Sequence, residues 1–204
     1  MTALPAPAPE RLLPAAERPR ATVDWWGMAW FCATEATLFA CLLASYFYLG
    51  VSNPRWPPAG IPDPKLQLPL LMTLLLVSSS AVIHWGERAL EGDRHGRFRA
   101  ALAVTMLLGL GFLSLQGLEY ADKLKHESPT EHAYTALFFA TTGLHGAHVA
   151  FGLLLWAYVG IRELLGHFDA RHHIAVKNVS LYWHTVDAIW LAILVVLYLS
   201  PRLY

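Results

Sequence analysis

Five of the polar side chains that lie inside otherwise apolar stretches of this 204-residue chain are candidates for acid–base or ligand chemistry. His145 and His148 are three residues apart, and so are His184 and Asp187, so in a helix each pair lies on one face. Glu35 is the fifth, and it is the only formal charge in its own apolar stretch. Imidazole and carboxylate groups move protons, and both are ligands that Zn²⁺ accepts. The residue types therefore indicate proton chemistry, a metal site or a hydrogen-bonded network between helices.

The spacings favour the hydrogen-bonded network over a metal site, because neither His-x-x-His nor His-x-x-Asp is by itself a zinc motif. Glu35 is expected about 15 Å into its helix, since each residue adds about 1.5 Å. A carboxyl group at that depth is costly and should face protein, water or a polar lipid headgroup. Two interpretations of Glu35 stay open at this point: a proton- or lipid-linked site, and a carboxyl group hydrogen-bonded between helices.

The charged residues divide the rest of the chain into five long apolar segments. The sequence is 55% hydrophobic and 15% charged, whereas a soluble domain carries about 25% charged residues. A helix needs about 20 apolar residues to cross the hydrocarbon core, and backbone groups cannot stay unpaired in lipid. We therefore predict an all-α integral membrane protein, a bundle of five transmembrane helices. The helices are predicted at about 25–49, 66–85, 98–117, 134–158 and 179–199.

The segments outside these helices predict the domain organisation and the orientation. Residues 1–22 contain five prolines and are predicted to form a disordered N-terminal tail, followed by the transmembrane domain at 23–204. With the N-terminus inside, ten Lys and Arg residues fall on the inner side and five on the outer side. The positive-inside rule then predicts a cytoplasmic N-terminus and a periplasmic C-terminus. In this orientation Glu35 and both histidine pairs have similar depth, which predicts one polar cluster.

Two features exclude other classes of protein. The net charge is zero, so nothing in the composition suggests a nucleic-acid partner. Cys32 and Cys41 are nine residues apart in one apolar segment. They form neither a disulfide framework nor a zinc or haem-attachment motif, and we interpret them as packed membrane cysteines.

Five motifs follow one another along the chain, each within or beside a predicted helix. The fourth contains Thr-Gly-x-His-Gly-x-His and the fifth Tyr-Trp-His-x-x-Asp. The motifs are Ala33-Thr-Glu35-Ala-Thr-Leu-Phe39-Ala with Ser45-Tyr-Phe47, Leu74-Leu-Leu-Val-Ser78-Ser-Ser, Leu115-Gln116-Gly-Leu-Glu119-Tyr120, Phe138-Phe-Ala-Thr-Thr142-Gly143-Leu-His145-Gly146-Ala-His148-Val, and Tyr182-Trp183-His184-Thr-Val-Asp187-Ala-Ile-Trp190-Leu. In this order, over about residues 25–199, they resemble subunit III of the haem–copper oxidases, the cytochrome c and quinol oxidases.

The resemblance implies an accessory, non-redox and non-catalytic subunit of a proton-pumping terminal oxidase in aerobic respiration. It implies a multi-pass protein of the bacterial cytoplasmic (inner) membrane that supports the stability, lipid binding and proton uptake of subunit I. Subunit I would be the main contact, with subunit II, other subunits and phospholipid as further partners. Haem and copper would belong to partner subunits, with no cofactor in this chain. Longer members have seven helices, and the first two are missing here. The residues at the family's characteristic polar positions are Glu35, Glu119, His145, His148, His184 and Asp187.

Three alternatives stay open beside this expectation. One is a subunit III-like partner of a nitric oxide reductase. Another is a free-standing proton or ion carrier that uses Glu35 and Asp187, which predicts transport by the purified chain alone. The last is an intramembrane metalloenzyme that uses His145, His148 and His184, which predicts stoichiometric metal after purification.

Overall fold

Long apolar helices make up most of the chain in the computed structural model, which describes residues 23–53, 56–58, 66–125, 128–169 and 172–202. The predicted tail at 1–22 lies outside the described residues. Within the described residues, five helices are long and apolar enough to cross a membrane, and no strand occurs. The prediction of an all-α bundle of five transmembrane helices is thus confirmed, while the orientation of its termini stays a prediction. The helices are α1 (Val23–Ser52), α2 (Gln67–Glu91), α3 (His95–Lys123), α4 (Ala133–Leu164) and α5 (Ile174–Ile193), and α5 continues through a π-helical turn (Leu194–Leu199) and a 3₁₀ turn (Ser200–Arg202).

Two helices extend beyond their apolar segments and end at residues with positive φ. α4 ends where Gly166 adopts φ 73°, and the amides of Gly166 and His167 donate to the carbonyls of Glu163 and Arg162 at 3.0 Å each. α2 ends in the same way, with φ 52° at Asp93. These are Schellman caps, which satisfy the last carbonyl groups of a helix. The charged residues before them are good helix formers, so charge by itself does not end a helix here.

α5 lies at the centre of the bundle. It packs against α1, α2 and α4, while α2 pairs with α3 as a hairpin and α3 packs on α4. In the apolar part of α5, 56% of residues are buried inside the chain, but only 11% are buried in that of α1. Most of α1 therefore faces outward, toward lipid or another protein, and only one side of it touches α4 and α5.

The indole ring of Trp183 holds α5 in place between two glycines. A Cβ atom on Gly152 of α4 would lie 2.8 Å from this ring, and one on Gly109 of α3 would lie 2.9 Å from it. The ring is fully buried, and its Nε1 donates a hydrogen bond of 2.9 Å to Ser79 Oγ on α2. Only glycine leaves room for the indole on both sides, so these contacts set the rotation of α5 and the directions of its neighbouring polar side chains.

Candidate functional site

Glu35 of α1 and His148 of α4 form a direct pair. Glu35 Oε2 lies 2.9 Å from His148 Nε2, and the two side chains are 22% and 15% exposed. The other ring nitrogen, Nδ1, lies 2.8 Å from the Leu144 carbonyl. A carbonyl oxygen can only accept, so Nδ1 carries a proton. Either the neutral imidazole accepts a proton donated by the carboxyl group, or a charged imidazolium faces a carboxylate. In both cases one proton lies between Glu35 and His148, and the pair is neutral overall.

Two aromatic residues, on α1 and α5, contact His148 beside its pairing with Glu35. The Phe39 ring meets the His148 ring edge to face, with centroids 5.2 Å apart. Tyr182 of α5 donates its hydroxyl to the His148 carbonyl at 3.1 Å, which binds α5 to the helix turn that carries the histidine. The Phe39 ring and the Tyr182 hydroxyl group therefore border His148, while both members of the pair stay partly exposed.

His145 has a different environment, although it is only one helical turn before His148. It is fully buried, with its ring 5.2 Å from that of Trp190 and 5.6 Å from that of Phe112. Among the described residues, neither of its ring nitrogens has a hydrogen-bond partner. The packing assigns His145 to the aromatic core, whereas His148 takes part in the polar pair.

His184 and Asp187 of α5 face α2, where both contact Ser80. The Ser80 hydroxyl donates to Asp187 Oδ2, and Ser80 Oγ lies 2.9 Å from His184 Nδ1. Because the hydroxyl has one proton and gives it to Asp187, His184 Nδ1 must be the donor to Ser80. The hydrogen bonds therefore run from His184 through Ser80 to Asp187, which we call the serine relay. The relay leaves the Nε2 lone pair of the neutral His184 ring free to accept a proton or bind a ligand.

Glu119 lies toward the opposite end of the bundle. Both of its carboxylate oxygens are within reach of the Tyr198 hydroxyl, at 3.0 and 3.1 Å. Nearby, Tyr120 Oη lies 2.7 Å from Thr142 Oγ1, and Gln116 donates to the Thr142 carbonyl at 2.6 Å. These bonds connect α3 to α4 and to the end of α5.

The structure therefore divides the sequence-predicted site residues among separate places. It brings together Glu35 with His148, and His184 with Asp187, and it places His145 in the aromatic core and Glu119 with Tyr198. The sequence analysis did not single out Ser80 as a relay residue, or His84 and Glu87 near His184. The signal for these three was present, since positions i, i+4 and i+7 share one helix face.

Residues 21–201 match the family described as cytochrome c oxidase subunit III. Cytochrome c oxidase subunit 3 of Homo sapiens is 35% identical over 182 residues, which cover 85% of this chain and 68% of the human protein. The Synechocystis protein of the same name is 33% identical, and the match covers 85% of this chain and 74% of that protein. The Arabidopsis thaliana protein of the same name is 34% identical, and the match covers 85% of this chain and 67% of that protein. The chain therefore belongs to the cytochrome c oxidase subunit III family, as a multi-pass membrane subunit of a multi-subunit terminal oxidase.

Proposed function

We propose that this chain is the accessory, non-redox subunit of a proton-pumping haem–copper oxidase that serves aerobic respiration in a bacterial cytoplasmic membrane. Haem and copper reside in partner subunits, and this chain packs against subunit I, beside subunit II. Its roles are to stabilise subunit I, to hold phospholipid and to sustain proton uptake. The family match supports the proposal.

The Glu35–His148 pair is the observation that carries the proton-linked role. Its two polar atoms are 2.9 Å apart and share one proton. A proton can pass from one atom to the other while the pair stays neutral overall, so the transfer adds no net charge to the apolar surroundings. A lone carboxylate at this depth would not have that property. Because the side chain of Glu35 on α1 remains 22% exposed, the pair is accessible from outside the bundle.

The outward side of α1 supports a protein or lipid partner at the same place. Trp30, Phe47 and Tyr48 are 71%, 44% and 73% exposed on this helix. A surface of this kind is stable only against lipid tails or another membrane protein. We assign it to subunit I and to phospholipid, whose headgroups provide polar contacts close to Glu35.

The test combines purification of the native complex with substitutions of Glu35. We expect the chain to copurify with a haem-bearing subunit, and the haem spectrum of that complex separates an oxidase from a nitric oxide reductase. Glu35→Gln should assemble like the parent, because the amide can donate to His148 Nε2, but it should lose activity during prolonged turnover, because an amide cannot exchange the shared proton. Glu35→Leu leaves that nitrogen unpaired, at a cost of about 1–3 kcal/mol, and should lose activity during prolonged turnover. Ser45→Ala is the matched control, since Ser45 is exposed on α1 and its hydroxyl, among the described residues, bonds the Cys41 carbonyl of its own helix at 2.9 Å.

Two results would contradict the proposal. If Glu35→Leu sustained prolonged turnover as well as Ser45→Ala and the parent, the Glu35–His148 pair would have no role in proton uptake. If the chain purified alone as a homo-oligomer that transports protons or ions, the carrier hypothesis would replace the proposal of an oxidase subunit.

A further inference from the structure

A group of three metal-ligating side chains lies between α2 and α5, outside the Glu35–His148 pair. His84 and Glu87 of α2 and His184 of α5 each present one ligand atom, and these atoms all lie within 4.8 Å of one another. His84 Nδ1 is 3.8 Å from Glu87 Oε2, and the rings of His84 and His184 have centroids 6.5 Å apart. We propose that His84, Glu87 and His184 bind a divalent zinc ion that links α2 to α5.

The donor set suits zinc better than the common hard cations. Two imidazole nitrogens and one carboxylate oxygen form a ligand set that Zn²⁺ accepts in tetrahedral geometry, with the fourth position open to water. Mg²⁺ and Ca²⁺ prefer oxygen ligands and disfavour two imidazoles. Bonds of about 2.0–2.1 Å put tetrahedral ligand atoms about 3.3 Å apart, so the side chains must close by at most about 1.5 Å. The His84 side chain is 54% exposed and Glu87 is 16% exposed, so rotation of His84 can provide much of that movement.

The serine relay prepares His184 for this role. A histidine that binds a metal usually donates its other ring N–H to an oxygen, which orients the ring and selects its tautomer. Here His184 Nδ1 donates to Ser80 Oγ at 2.9 Å, and Ser80 in turn donates to Asp187. Nε2 of the neutral ring is therefore left with its lone pair for the metal.

The position of the site allows an ion to enter from water. Glu87 is four residues from the end of α2 at Glu91, which is about 6 Å along the helix axis. Glu91 itself forms an ion pair with Lys177 at 3.0 Å, so the positive charge of that lysine is already paired at the end of α2 where an ion would enter. An ion reaching this end of the bundle meets Glu87 and His84 first and His184 last.

The experiment measures zinc binding by the native complex after removal of loosely bound metal with a chelator. The complex is equilibrated with buffered Zn²⁺, and bound zinc is counted for the parent, His84→Ala and His172→Ala. His172 is the matched control, because it is an exposed histidine with a carboxylate three residues away, Asp169, at 3.0 Å. We expect the parent and His172→Ala to bind one zinc ion more than His84→Ala. Ser80→Ala should weaken the affinity for zinc about 10–100-fold.

Folding and ligand identity are checked in the same preparations. Equal haem content in the parent and in His84→Ala shows that the variant complex is assembled, since the exposed His84 ring has no part in the packing of the core. X-ray absorption at the zinc edge of the parent should show two imidazole ligands at the added ion. Equal zinc stoichiometry and affinity in the parent and His84→Ala would overturn the assignment, and so would an added zinc ion with no imidazole ligand.

Discussion

The Trp183 ring provides a sharp test of how the bundle is packed, because it lies between Gly109 and Gly152. We expect Gly152→Ala to destabilise the protein although alanine is the better helix former. The new Cβ would lie 2.8 Å from two atoms of the Trp183 ring and 3.3 Å from Tyr182. The ring has little room to move, because a Cβ on Gly109 would lie only 2.9 Å from it as well and its Nε1 is bonded to Ser79.

The size of the effect follows from two opposing contributions. Adding a methyl group to a filled core costs about 1–3 kcal/mol. Replacing glycine by alanine inside a helix returns about 0.5–1 kcal/mol. The free energy of unfolding should therefore fall by roughly 1 kcal/mol in Gly152→Ala, within a range of about 0–2.5 kcal/mol. Gly117→Ala is the matched control, because a Cβ on Gly117 of α3 would have no described residue within 4 Å, so only the favourable contribution remains there.

The assay compares the unfolding of parent and variant proteins in mixed detergent micelles under identical conditions. The two glycine-to-alanine substitutions should change stability in opposite directions, with a difference of about 1–3 kcal/mol. A Gly152→Ala protein that is as stable as Gly117→Ala would refute the argument, since it would mean that Trp183 is not held between α3 and α4 as described.

Two further predictions address the orientation of the chain and the buried carboxylate at one end of α4. In a cysteine-free background, single cysteines at Arg18 and at Pro58 should be labelled by an impermeant reagent from opposite sides of the membrane; labelling from one side would exclude the orientation based on the Lys and Arg bias. Glu163 is 1% exposed and accepts hydrogen bonds from His95 and Arg99 at 2.9 and 3.1 Å. Glu163→Leu should therefore lower the free energy of unfolding by about 1–3 kcal/mol. Glu131→Leu is the control at an exposed turn position and should change that free energy by less than about 0.5 kcal/mol; equal effects would show that the buried contacts of Glu163 contribute nothing.

The number of helices was predictable because charge is excluded from the hydrocarbon core. The apolar segments between charged residues are each long enough to span it, and the described residues contain five such helices. The ends of the helices were less predictable. α2 continues to Glu91 and α4 to Leu164, because charged residues near the membrane surface keep helical backbone bonds until a residue with positive φ stops them.

The sequence by itself also determined the position of each polar group along its helix, since each residue of a helix adds about 1.5 Å along the axis. Only the tertiary structure decided what each group contacts. His145 and His148 are three residues apart, which rotates their side chains by about 60° around α4 at 3.6 residues per turn. That rotation is enough for His148 to meet Glu35 on α1 while His145 meets Trp190 and Phe112. The rotation of each helix in the bundle depends on close contacts such as Gly152 against Trp183, which join residues far apart in the chain and which no local spacing encodes.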